Sequence, residues 1–340
     1  MNTNIAPESA GSVLLARSRL TNGLVWGFHF IGSEAVPVND PHSDERPAAG
    51  GLRWLHFSSA DRGSQRWIES ANLPKLVREL MLSHDDHHCA LVDEGYVACV
   101  LHDFERKFDG QDTPSVGTLR FAVGDGFMLT VRKHPLRCAD VVRRRIEEGA
   151  RPVDAPMALE LLAGAISEVM GSVLGNIEAA AERVEDELLT DDLSPNTSEL
   201  VGMRRRTVRM HRMLAGLGAA CRRLESDTEL PQPLLPAIEN FAQRIIALDQ
   251  RVTALQSQLR LLRDELDLQA AQRTNRSLYV LSILSALMLP ATLVTGLFGM
   301  NTGGLPWATS SFGTLAATLS AFGAAAAVYW VLRRLGFVRL

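Results

Sequence analysis

Seven consecutive residues, Ser83-His84-Asp85-Asp86-His87-His88-Cys89, place three imidazoles, two carboxylates and a thiol side by side. These side chains ligate transition metals. His84 and His88 share a helix face only if a helix continues past Met81. Two readings stand at this point: a solvated polar loop, or a metal site on the cytosolic domain, built from His84, Asp85, His87, His88 and Cys89, with a sensory role.

A second group lies near the C-terminus. Asn275, Leu278, Ser282, Ser285, Leu289, Thr292 and Gly296 recur by three and four, so they share one face of a helix. The opposite face carries Val280, Ile283, Leu287 and Val294. One stripe is therefore small and hydroxyl-bearing, the other greasy. Such a stripe suits tight helix packing in lipid and the lining of a watery pore equally well.

The elements that position these residues follow from the distribution of charge. The chain has 340 residues, room for two or three domains, and its net charge of -4 gives no general signal for nucleic acid. From Ser277 to Leu332 there is no Asp, Glu, Lys, Arg or His. Ser277–Phe298 and Phe312–Leu332 are each long enough to cross roughly 30 Å of hydrocarbon. Arg273 and Arg276 precede the first span, Arg333, Arg334 and Arg339 follow the second, and the connecting loop is uncharged. By the positive-inside rule both termini are cytoplasmic. Trp307 on the outer side and Tyr329 and Trp330 on the inner side fit aromatic belts. The polar N-terminus lacks a signal-peptide core, so insertion is directed from the C-terminal end. Cys89, Cys99, Cys138 and Cys221 form no C-x-x-C pair and read as reduced thiols.

Residues 12–135 alternate short strand-like runs (SVLLARS, GLVWGFHF, GLRWLHFSS, YVACVLHDF, TLRFAVG, GFMLTVR) with two helices, ADRGSQRWIES and NLPKLVRELML, the second capped by Asn72. Asp93-Glu94-Gly95 and Gly124-Asp125-Gly126 read as hairpin turns, and a helix follows from His134 to Gly149. Beyond residue 152 helical periodicity dominates. An acidic helix ending in ERVEDELLTDD precedes a helix bearing Arg204, Arg205, Arg206, Arg209 and Arg212, which predicts an antiparallel hairpin with charge pairing between the two. From Leu234 a third helix runs without Gly or Pro from Ala237 to Pro290. Helical to Gly299, it measures about 100 Å. Ile238, Phe241, Ile245, Leu248, Val252, Leu255, Leu259, Leu262 and Leu266 form a seven-residue repeat on it. Two spans cannot enclose a channel, so a pore needs several copies, and this seam is able to join them. The expected divisions are an α/β funnel domain (1–152), a helical hairpin (153–232), a stalk helix continuing into the first span (233–300), an outer loop (301–311), and the second span with a basic tail (312–340).

At the end of the first span, Pro290, Thr292, Gly296, Phe298, Gly299, Met300 and Asn301 form a run that resembles the CorA superfamily of metal-ion transporters. Its Gly-Met-Asn triplet is followed by Thr302-Gly303-Gly304-Leu305-Pro306, which is closer to the ZntB-type zinc transporter branch. Magnesium-type members usually carry a Glu after that proline, where this chain has Trp307. The WLHFSSADRGSQRWI stretch also resembles that branch. The resemblance implies a CorA-like fold: an α+β cytosolic domain, a long-helix stalk and two C-terminal transmembrane helices, assembled as a homopentamer in the bacterial inner membrane. The long helix would line the pore, Asn301 would ring its mouth, and Leu289 would take the place of a hydrophobic constriction.

The residue types then bear on mechanism. With no ionised or imidazole ligand in the spans, a dehydrated divalent ion would be far too costly. The expected cargo is a largely hydrated divalent cation, zinc foremost, with Co²⁺, Ni²⁺ and Cd²⁺ poorly excluded. Gly299, Met300, Asn301, Thr302, Gly303 and Gly304 would form the selectivity loop; Ser282, Ser285 and Thr292 would offer hydroxyls to the ion's waters. Proton coupling, where present, would have to act through the cytosolic part. No cofactor is expected, nor an enzyme: a Gly-rich phosphate loop, a nucleophile elbow and HExxH are all missing. The alternatives are a magnesium or cobalt channel of the same fold and a membrane-tethered sensor or scaffold without a pore.

Overall fold

Runs of β-branched and aromatic residues with period two become one seven-stranded sheet. The computed structural model describes residues 23–42, 51–106, 112–124, 126–189, 197–300 and 312–335. The strands are β1 (Leu24–Ile31), β2 (Glu34–Pro37), β3 (Leu52–Ser58), β4 (Cys89–Asp93), β5 (Tyr96–Arg106), β6 (Asp112–Gly124) and β7 (Phe127–Arg132). Their order is β2-β1-β3-β7-β6-β5-β4. Only the central β3–β7 pair is parallel; the other ladders are antiparallel. β2 and β4 are absent from the sequence reading. β2 is short and largely exposed, and β4 adjoins the polar run before Cys89, so neither carries a clear alternation. The expected SVLLARS strand and Asp125 of the second turn lie outside the described residues.

Turn chemistry works as expected at β4–β5. Glu94 (φ 46°) and Gly95 (φ 81°) both take left-handed backbone, the requirement of a tight two-residue hairpin. Two helices cover one sheet face: α1 (Arg62–Ser70) and α2 (Lys75–Leu82). Trp67, Ile68, Val77 and Met81 of these helices pack on Leu55, Phe57, Ala98, Ala122, Leu129 and Val131. Asp61 caps α1 by accepting the Gly63 amide at 2.6 Å. The expected Asn72 cap of α2 is not made. A residue before proline is driven to extended backbone, which delays the helix; Pro74 takes the cap position without a side-chain bond. The Leu76 amide is instead taken by the Asp93 carboxylate at 3.2 Å.

After α3 (Arg137–Glu147) come three long helices: α4 (Ala155–Leu189), α5 (Thr197–Glu225) and α6 (Leu235–Gly299). The last described helix is α7 (Gly313–Arg334). Contacts rise together along α4 and α6: Glu160 with Arg244 (3.2 Å), Glu178 with Arg251 (2.7 Å) and Glu185 with Gln258 (2.8 Å). The two run parallel, with α5 antiparallel beside them, joined to α6 by His211 and Asp249 at 2.7 Å. The acidic helix thus spends these carboxylates on the long helix rather than on the arginines of α5.

The heptad seam has a different use from the one expected. Ile238, Phe241, Ile245, Leu248, Val252, Leu255, Leu259 and Leu262 are all buried within the single chain. A seam already filled by its own chain cannot also join separate copies. This corrects the reading that it supplies the oligomer. The chain divides into two compact units, Met1–Arg260 and Leu261–Leu340.

Candidate conduction pathway

Within the second unit, α6 and α7 are both long and apolar enough to cross a membrane, and their apolar stretches are almost entirely exposed. Helix α4 also meets the length and composition of a span, but half of it is buried, as befits a core helix. On α6 the partly covered positions are Ile283, Ala286, Leu287, Pro290, Ala291, Val294 and Phe298, a single helical stripe. On α7 the corresponding stripe is Ala316, Ala317, Ala321, Ala324, Ala325 and Val328, with Ala321 buried. Partial cover on the first span therefore falls on its greasy face.

The other face stays open. Asn275, Leu278, Ser282, Ser285, Leu289, Thr292 and Gly296 are all exposed, Leu289 by 71%. Packing against the chain's own second span is thus not the reason for this stripe. The hydroxyl geometry adds chemistry. Ser285 donates to the Leu281 carbonyl at 2.9 Å, Thr292 to Met288 at 2.8 Å and Thr295 to Ala291 at 3.1 Å. A hydroxyl that gives its proton to its own helix keeps only lone pairs to offer outward. The face therefore presents acceptors. Water bound to a cation turns its hydrogens outward, so an acceptor surface suits a hydrated cation, and it mismatches a hydrated anion. Pro290 lies inside the helix, has no amide to donate, and so leaves the Ala286 carbonyl without its usual helical partner. α6 ends at Gly299 and Met300 follows in a turn. Asn301, Thr302, Gly303 and Gly304 lie outside the described residues.

The histidine-rich run is split three ways. Helix α2 stops at Leu82, so residues 83–88 form a loop and Cys89 begins β4. Asp85 accepts the His87 amide at 3.0 Å and also pairs with the His87 ring, both side chains facing solvent. That pairing raises the His87 pKa. Asp86 bonds Arg120 of β6 at 3.1 Å, and Arg120 also donates to the Asp85 carbonyl at 2.9 Å. The Arg120 side chain is only 5% exposed. His88 turns inward, its Nε2 2.7 Å from Nδ1 of His102 on β5. His84 remains exposed. The five expected donors are not brought together. Among the described residues no group of three or more ligating side chains converges.

Three residues that matter here escape a reading of the sequence: His102, Arg120 and Gly216. The first two sit in runs that read simply as strands. Gly216 sits on α5 where a Cβ would fall 2.1 Å from His88 Cδ2, so only glycine admits that ring. A glycine inside an otherwise regular helix was the one available signal.

A family model described as CorA-like Mg2+ transporter protein matches residues 49–334. The divalent cation transporter CmaX of Pseudomonas aeruginosa is 28% identical over 334 residues, covering 92% of this chain and 96% of the relative. The structure of full-length CmaX superposes with a TM-score of 0.77 at 22% identity, over 92% of this chain and 98% of that one. The zinc transport protein ZntB of Pectobacterium atrosepticum is 23% identical, over 92% of this chain and 95% of the relative. The CorA magnesium transporter structure from Methanocaldococcus jannaschii gives a TM-score of 0.72 at 16% identity, over 92% of this chain and 99% of that one.

Proposed function

The chain belongs to the CorA-like Mg2+ transporter family and is a divalent cation transporter, and we propose that it admits zinc and similar divalent ions, largely hydrated, through a central pore formed by five copies. The carrying observation is the exposed, uncharged stripe from Asn275 to Gly296, on which the Ser285 and Thr292 hydroxyls donate to their own helix and keep lone pairs for the outside. Ser282, Ser285 and Thr292 accept from the ion's own waters. Leu278 and Leu289 form dry collars that close the path. Asn301 and the carbonyls of Thr302, Gly303 and Gly304, freed to turn by the glycines, hold the hydrated ion at the outer mouth.

Support for zinc rests on the Gly-Gly-Leu-Pro loop and the likeness to ZntB, with Trp307 where a magnesium-type loop has Glu. A path without imidazole or thiolate has no chemical means to single out zinc, so Co²⁺, Ni²⁺ and Cd²⁺ should follow it. A membrane potential of 100 mV is worth about 4.6 kcal/mol for a divalent ion at ~2.3 per charge, enough for uptake without coupling.

The test is flux of Zn²⁺, Co²⁺, Ni²⁺, Cd²⁺ and Mg²⁺ into liposomes carrying the purified full chain. Comparable rates for the first four are expected, with Asn301→Ala reducing all of them by about tenfold or more. Transport of Mg²⁺ alone would point to the magnesium channel, and unimpaired flux in Asn301→Ala would remove the proposed mouth.

A further inference from the structure

We propose that His88 and His102 together form a binding site for a borderline transition-metal ion of the Zn²⁺, Co²⁺ or Ni²⁺ type, within the α/β unit. The two imidazoles come from different elements, the loop before β4 and strand β5, yet their nitrogens meet at 2.7 Å. The rings are nearly perpendicular, at 88°, with centroids 4.2 Å apart. The slot that holds them is specific: a side chain at Gly216 of α5 would overlap the His88 ring. Nε2 of His88 meets His102, and Nδ1, on the far side of the ring, is buried beside the Val100 backbone.

Metal ions take neutral imidazole. Burial, helped by the facing His102, pushes the His88 pKa down to about 4. Burial also lowers His102, against the pull of Asp86. Both rings are therefore neutral at pH 7. The other charged or titratable groups facing them are Arg120 and His87. Zinc–nitrogen bonds of ~2.0–2.1 Å at a tetrahedral angle set two nitrogens about 3.3 Å apart. The rings need part by only about half an ångström. The proton now shared between them shifts to the outward nitrogen of its own ring, so none need be lost. Water completes the shell. Mg²⁺ prefers oxygen ligands and should not compete. The site also has a mechanical connection. Gly216 lies one and a half turns along α5 from His211, which bonds Asp249 of the long helix.

The test reads equilibrium binding, so it stands or falls apart from transport. Wild-type full chain in detergent should bind one more Zn²⁺ per chain than His88→Gln or His102→Gln. The paired change His84→Gln/His87→Gln should leave the stoichiometry intact, and excess Mg²⁺ should not displace the ion. As a control for folding, diethylpyrocarbonate modification of His88 and His102 in the unaltered protein should slow severalfold with Zn²⁺ and not with Mg²⁺. Unchanged stoichiometry in folded His102→Gln, modification indifferent to Zn²⁺, or loss of binding only in the His84/His87 variant would each overturn the proposal.

Discussion

At the scale of single residues, the informative contact is the one between Gly216 and His88. In an exposed helix, Gly→Ala gains roughly 1 kcal/mol of helix propensity. Here the new Cβ would stand 2.1 Å from the ring. Overpacking of that kind costs about 1–3 kcal/mol, so the steric term wins and Gly216→Ala should lower the melting temperature. The pH dependence gives a second readout. An unfolded imidazole takes its proton near 6.5, whereas folded His88 waits until about 4. Between those values, falling pH favours the unfolded chain, so wild-type stability should decline across that window and level off below it. Gly216→Ala expels the ring and should flatten the decline. Melting curves of the full chain from pH 7 to 4 check both effects; an unaltered pH profile in Gly216→Ala would show that His88 is not seated as described.

At the scale of elements, adjacent positions on α6 separate two uses of a heptad. Ile245 is 1% exposed and Ile246 is 50% exposed. Ile245→Ala should cost about 2–5 kcal/mol of chain stability and Ile246→Ala little, because only the first opens a cavity. Thermal or denaturant unfolding of the two variants measures this, and equal effects would return the seam to a role between copies. Periodicity alone could not make that distinction. The repeat from Ile238 to Leu262 specifies a packed seam, but not whether the partners come from the same chain. The β4–β5 turn and most strands were legible because their signals are local: Glu94-Gly95 needs left-handed backbone. Helix α2 was misjudged by two residues because Pro74 delays its start and its first amides look to Asp93, 17 positions along the chain from Leu76. The same limit applies at the metal-ligand candidates. The sequence displays His84 to Cys89 as one cluster, while the fold sends His88 to a partner on β5 that the sequence does not reveal.

At the scale of the whole molecule, an uncharged membrane stretch leaves only hydroxyls, small residues and leucines to read, and the proposed pore face rests on them. That same neutrality decides what can drive transport. Between Ser277 and Leu332 no side chain titrates near neutral pH, so the spans cannot carry a proton by themselves. An inside-negative potential of 100 mV acts on a divalent ion with about 4.6 kcal/mol, at ~2.3 per charge, or roughly a 2000-fold accumulation at equilibrium. Liposomes with a clamped potassium diffusion potential should therefore concentrate Zn²⁺ in proportion to the potential. Abolishing the potential should abolish accumulation, while an imposed pH step at zero potential should produce none. Accumulation driven by the pH step alone would require a proton site, and the neutral spans would confine that site to the α/β unit. The half-buried His88–His102 pair would then be the first place to seek it, because the His88 ring packs directly against Gly216 of α5.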